Sequence, residues 1–163
     1  MEAVLRRSDK EITDRSQIDR IIRGSQVCRL GFALNDEPYV VPLSFGYDGE
    51  ALYFHTARRG KKIDFISANP RVCFELERNV QLLISPDEPC SWSFSFESVV
   101  GYGTISELTS HERKAYGLSQ IVLHCSGREW GFGSSNLDSV RVWRLTVESV
   151  TGKLSRPKRP ESP

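Results

Sequence analysis

Most apolar residues of this chain fall in short runs bounded by Gly, Pro, Asn and Asp, a spacing that suits strands better than helices. Residues 27–34 (VCRLGFAL) predict a strand, residues 35–38 a polar turn, and residues 39–47 a second strand with Pro42 in its middle. Proline donates no ladder hydrogen bond, so this strand is expected at a sheet edge, or interrupted where something else approaches its backbone. Asp48-Gly49 predicts a hairpin into a strand over 51–55. Further strands are predicted over 71–76, 93–108 and 140–150, with Gly101 and Gly103 permitting a bulge in the long one.

Helical periodicity is confined to three places. Ile18, Ile21 and Ile22 make one stripe of a helix that starts at Thr13 or Asp14 and stops near Gly24. A short helix with Ile63, Phe65 and Ile66 on its apolar side is closed by Asn69-Pro70. A third carries Ala115, Leu118, Ile121 and Val122, and Thr109 with Glu112 three residues on predicts a capping box at its start. Residues 77–92 and 126–136 read as loops. About six strands with three scattered helices give an α+β chain dominated by antiparallel hairpins, and a small barrel flanked by helices hides so many short strands. We expect an N-terminal arm over 1–12, one domain over 13–153 and a disordered, proline- and charge-rich tail over 154–163.

Composition narrows the function classes. The 22 basic and 21 acidic residues leave a formal charge of +1, without the broad basic face that nucleic acid requires. No apolar run approaches the roughly 20 residues that span a bilayer, and residues 1–15 lack a signal-peptide core, so a cytoplasmic protein is expected. The four cysteines form no CxxC pair and the three histidines no HxxxH or HExxH spacing, so no metal site is expected. Cys28 and Cys73 lie in strand-like runs, as buried thiols do.

One stretch conflicts with simple electrostatics. Arg58, Arg59, Lys61 and Lys62 crowd the first turn of the short helix, with Asp64 the only nearby acid. A helix N-terminus already carries partial positive charge, so each cation there is the wrong sign by roughly 0.3–1 kcal/mol. Either the side chains splay into water, or an anion sits there on backbone N–H groups, the Thr56 hydroxyl and one or two lysines. A phosphate is the favoured anion.

Taken in order, VCRLGFA, PYVVPLSFGYD, LYFHTARRGKKID, NPRVCFE, CSWSFSFESVVGYG and VTGK resemble the pyridoxamine-phosphate-oxidase-like superfamily of FMN-binding split barrels. Within it the chain is most similar to the nitroimidazole-reductase (Nim-type) branch. The resemblance covers roughly residues 6–153 and rests on the order of short signatures. It implies a six-stranded antiparallel split barrel working as a homodimer, with FMN in the clefts between subunits. Thr56 falls on the family's hydroxyl donor to the phosphate, and Lys61 and Lys62 on its basic pair. Val41, Pro42, Leu43 and Ser44 match the strand whose backbone faces the isoalloxazine ring. Ser98 matches a position reaching the flavin from the second subunit, and His55 lies beside the phosphate stretch.

Two departures bear on activity. The arginine- and histidine-bearing run that holds pyridoxamine phosphate in the oxidase proper has no match here, and a basic residue of the ring-facing strand is replaced by Pro-Leu-Ser. The resemblance therefore implies an FMN-dependent oxidoreductase passing electrons from a reductant, with NAD(P)H a candidate, to a small oxidant such as a nitro-aromatic. No catalytic residue is identified, because the chemistry would belong to the flavin. A second reading stays open: a flavin- or haem-binding storage or sensor module, with His124 or His55 as axial ligand.

Overall fold

A computed structural model describes residues 10–156. Its strands are β1 (Glu11–Ile12), β2 (Cys28–Leu34), β3 (Glu37–Leu43), β4 (Gly46–Tyr47), β5 (Ala51–Thr56), β6 (Arg71–Leu83), β7 (Ser93–Leu108) and β8 (Arg141–Ser155). Its α-helices are α1 (Arg15–Gly24), α2 (Lys61–Ala68), α3 (His111–Ser126) and α4 (Ser134–Ser139). All strand pairs are antiparallel, in the order β3-β2-β6-β7-β8-β5-β4, with β1 added beside β8. The sheet curls without closing. β3 and β4 lie at opposite ends of that order, yet only Ser44 and Phe45 separate them in sequence. Two residues cannot span a flat seven-strand width, so the edges must curve toward each other. This is the split barrel that the resemblance implies, with eight strands where six were expected because the short β1 and β4 add to the sheet.

Alternation fills the inside. Cys28, Leu30 and Phe32 of β2 are buried, and so are Val72, Phe74 and Leu76 of β6. α1 adds Ile18, Ile21 and Ile22, and α2 adds Ile63, Phe65 and Ile66 to the same core. β5 is buried on both faces. Leu52 and Phe54 enter the barrel core, while Ala51 and Tyr53 join Leu118, Ile121, Leu137 and Val142 in a second cluster beneath α3 and α4. α3 presses close to β4: a Cβ added at Gly46 would lie 2.3 Å from the Gln120 carbonyl carbon. Among the described residues no helix is long and apolar enough to cross a membrane.

The structure refines several expectations. The strand predicted over 39–47 ends at Leu43, because the chain leaves the β3 edge to bury Phe45 completely before β4. Pro42 does sit on an edge strand. β6 runs on to Leu83, through residues expected to be loop. Asn79 takes a left-handed turn (φ 56°) at a shift in register, after which Gln81, Leu82 and Leu83 resume pairing with β7. The bulge expected in β7 lies between Tyr102 and Gly103. α4 begins within the predicted 126–136 loop. At the ends, Glu11 and Ile12 pair with Lys153 and Gly152, so the sheet takes in part of the expected arm, and β8 takes in Leu154 and Ser155 of the expected tail. Residues 1–9 and 157–163 lie outside the described residues.

The α3 cap is one residue later than predicted. Ser110, not Thr109, is the N-cap, and its hydroxyl accepts from the Arg113 N–H at 3.3 Å. Glu112 then stands too early in the first turn to complete a reciprocal box, whose third helical position is Arg113. Ser110→Ala should cost about 1 kcal/mol in a urea melt. Thr109→Ala should leave the midpoint nearly unmoved; the reverse ranking would restore the predicted cap.

Candidate functional site

β5 delivers the chain to the basic turn. Gly60, the N-cap of α2, has φ 138° and ψ 164°, a conformation that L side chains rarely adopt, and no side chain caps the helix. The Ile63 and Asp64 N–H groups both bond the Gly60 carbonyl, at 2.8 and 3.3 Å. The Lys61 and Lys62 N–H groups precede them and have no backbone partner among the described residues. Ile63, Phe65 and Ile66 hold the rest of α2 in the barrel mouth. At its other end Asn69 donates from Nδ2 to the Ala33 carbonyl (2.9 Å) and accepts from the Arg71 N–H (3.2 Å).

The two lysines differ. The Lys61 ammonium turns toward β3, donating to Glu37 at 2.5 Å and lying over the Tyr39 and Phe65 rings at 5.0 and 5.5 Å. Lys62 makes no ion pair among the described residues. It is half-buried, and burial lowers its ammonium pKa. Lys62 also bears on His55, whose imidazole pKa is pushed down by burial first and by the Lys62 charge second. Lys62 is thus the cation best placed to meet an anion at the helix start.

Thr56 is only 7% exposed, and its hydroxyl is already engaged. It accepts from the Trp143 indole N–H at 3.0 Å and donates to the Ala57 carbonyl at 2.9 Å. The indole lies under the Arg141 guanidinium, 4.5 Å from the ring centre, and Arg141 is gripped by both carboxylate oxygens of Glu107 at 2.8 and 2.5 Å. Arg58 is exposed and turns to a separate charged cavity of about 500 Å³, shared with Glu107, Lys114, Asp138 and Arg141.

The predicted ring-facing run arrives from the other sheet edge. Val41 and Leu43 pack against the core, whereas Pro42 and Ser44 are exposed. β4 pairs Gly46 with Tyr53, and that register continued back two residues brings Ser44 level with His55. The fold therefore gathers Ser44, His55 and Lys62 near the end of β5, by the split between β3 and β4, while the Thr56 hydroxyl turns inward to Trp143. Ser98 is not gathered. It is half-buried opposite Glu77 and Lys153, whereas Thr56 faces Arg141 at the far end of β8. His124 is committed to structure, with Nε2 2.8 Å from the Ser25 carbonyl and the ring 4.2 Å from that of Phe45.

A family model described as pyridoxamine 5'-phosphate oxidase matches residues 14–154. The chain belongs to this family. Among solved structures, a candidate 5-nitroimidazole antibiotic resistance protein from Bacteroides thetaiotaomicron VPI-5482 is 30% identical, over 88% of this chain and 85% of that one, with a TM-score of 0.77. An FAD-binding protein from Mesorhizobium loti is 25% identical, over 90% and 98% of the two chains, at a TM-score of 0.68. The flavocytochrome Anf3 of Azotobacter vinelandii shares the fold at a TM-score of 0.79 and 18% identity, over 94% of this chain and 73% of that one. A curated, uncharacterized protein of Rhizobium meliloti (strain 1021) is 28% identical over 65 residues, which is 40% of this chain and 42% of that relative's length.

The residues at the α2 start fit a phosphate-bearing member of the family's flavins on donor chemistry alone: two unbonded N–H groups, a glycine that opens the turn and an unpaired half-buried lysine. Sequence reasoning missed Trp143. The signal that could have found it is a tryptophan in an alternating strand, whose buried N–H must find an acceptor. For His55 the depressed pKa has a sign that can be checked. The unfolded chain binds the proton more readily, so this group's contribution to stability is complete above its ordinary 6.5 and declines as pH falls below it. An NMR titration should place the midpoint under 6.5, and Lys62→Ala should raise it; an unchanged midpoint in the variant would separate the two residues.

Proposed function

We propose that the chain is an FMN-binding oxidoreductase acting as a cytoplasmic homodimer, reducing a small oxidant of the nitro-aromatic kind. The observation that carries this reading is the uncapped start of α2 with Lys62 beside it, donor chemistry that suits a dianion. Family membership and the 30% identity to the Bacteroides protein support the choice of flavin and of oxidant class. FMN, when bound, supplies the redox chemistry, taking a hydride from a donor such as NAD(P)H and passing electrons on.

The chain's own part is binding and orientation. Backbone N–H groups of Lys61 and Lys62, the Thr56 hydroxyl and the Lys62 ammonium hold the phosphate. Val41, Pro42, Leu43 and Ser44 form the wall for the ring, and His55, kept neutral near pH 7 by its surroundings, adds a hydrogen-bonding group without a second positive charge. Lys61 contributes less than its neighbour, because Glu37 already takes its charge.

Dimerisation is supported by apolar surface that one chain leaves open. Val40, Val100 and Tyr102 are 38–64% exposed on strands of the sheet. Val80, Leu82, Ile84, Trp92 and Phe94 are 47–61% exposed on or beside the outer β6–β7 hairpin, and Leu82 and Phe94 are cross-strand partners that share a face. The resemblance assigns Ser98 to the flavin of a second subunit, and its place at the opposite end of β8 from Thr56 is compatible with that.

Lys62→Ala should weaken FMN binding by about 1.5–3 kcal/mol, a tenfold to hundredfold rise in Kd. Lys61→Ala should cost at most about 1 kcal/mol, as for an exposed pair. Riboflavin should bind wild type more weakly than FMN and ignore both changes. Light scattering of the FMN-bound protein should give twice the 18.5 kDa chain mass. Equal affinity for FMN and riboflavin would remove the phosphate from this turn, and a monomer mass would remove the dimer.

A further inference from the structure

The Thr56 hydroxyl is reached from behind by a group that can only donate. An indole N–H has no acceptor capacity, and Trp143 is 3% exposed, so its proton must be received by protein. Thr56 Oγ1 receives it at 3.0 Å. A hydroxyl carries one proton and two lone pairs, so once the indole has taken a lone pair the hydroxyl proton must point elsewhere. It now goes to the Ala57 carbonyl, one residue along, at the mouth of the basic turn. The indole is not at liberty to leave. The Arg141 guanidinium covers it, Glu107 fixes Arg141 through two bonds, and the Phe54 ring stacks at 17° and 6.4 Å.

We propose that Trp143 is a positioning residue that holds one lone pair of the Thr56 hydroxyl and so directs its proton toward the turn, where an acceptor-only ligand, a phosphate dianion, receives it. The inference rests on the phosphate reading of the turn and adds a residue outside it. Rotation of the hydroxyl from the Ala57 carbonyl to a phosphate oxygen exchanges one acceptor for a charged one, while the indole bond stays in place.

Trp143→Phe keeps a buried aromatic ring and removes the N–H. It should raise the Kd for FMN by roughly five- to thirtyfold, part of the worth of a charge-assisted bond, and leave that for riboflavin within about twofold. Thr56→Val should produce a comparable loss, and adding Trp143→Phe to it should cost FMN nothing further, a coupling that mere packing would not generate. Wild-type protein supplies a readout that needs no variant. The indole N–H of Trp143 should exchange slowly with solvent, unlike those of Trp92 and Trp130, which are 50% and 60% exposed. Its NMR resonance should shift with FMN and with inorganic phosphate, and stay still with riboflavin. If wild type prefers FMN over riboflavin but Trp143→Phe keeps that preference, or the slow indole resonance ignores FMN, the positioning role is wrong and the phosphate turn survives. If wild type shows no preference at all, both are wrong.

Discussion

The burial of Ile63, Phe65 and Ile66 in the mouth of an unclosed barrel is the contact on which the rest of the site depends. α2 is only eight residues long, too short to persist in water by itself, so its position is set by what its apolar side touches. Phe65 meets Phe32 and Tyr39 from the paired strands β2 and β3. With that side inward, the start of the helix must face water. Its N–H groups cannot reach a capping side chain, because the residue at that place is Gly60.

The same docking sorts the cations that look equivalent in sequence. Lys61 is carried over the Tyr39 ring to Glu37, so it fastens the helix to the edge strand. Lys62, one residue and about 100° further round, stays on the β5 side with His55. Arg58 lies before the glycine and turns to a different cavity. Three of the four like charges thereby part into one fastener, one half-buried group beside His55 and one surface charge.

Much of this is legible in the chain. Pro42 and the Asp48-Gly49 pair declare an edge and a hairpin through backbone chemistry that tertiary contacts seldom override, and the bulge near Gly103 follows from the same kind of signal. The wrong sign of charge at the α2 start is equally local. What the sequence hides is long-range. β6 reaches Leu83 because β7 is there to pair with it, beyond an Asn79 kink that reads as a loop. Trp143 stands 87 residues from Thr56, and no spacing rule links them. Thr109 and Ser110 compete for one cap, both are good capping residues, and Ser110 takes it.

The edge strand β3 has one more property. Prolines stand at 38 and 42, on the same alternate set as Val40, and a residue inside the ladder with no N–H is tolerated only where that N–H would have pointed outward. Of the three outward donors along this border, Val40 alone retains one. The other border, β4, is two residues long and lies under the backbone of α3. Neither of these two margins therefore offers a long template for a foreign strand. At these two margins copies of the chain can meet only through side chains, face against face, rather than by continuing one sheet into the next.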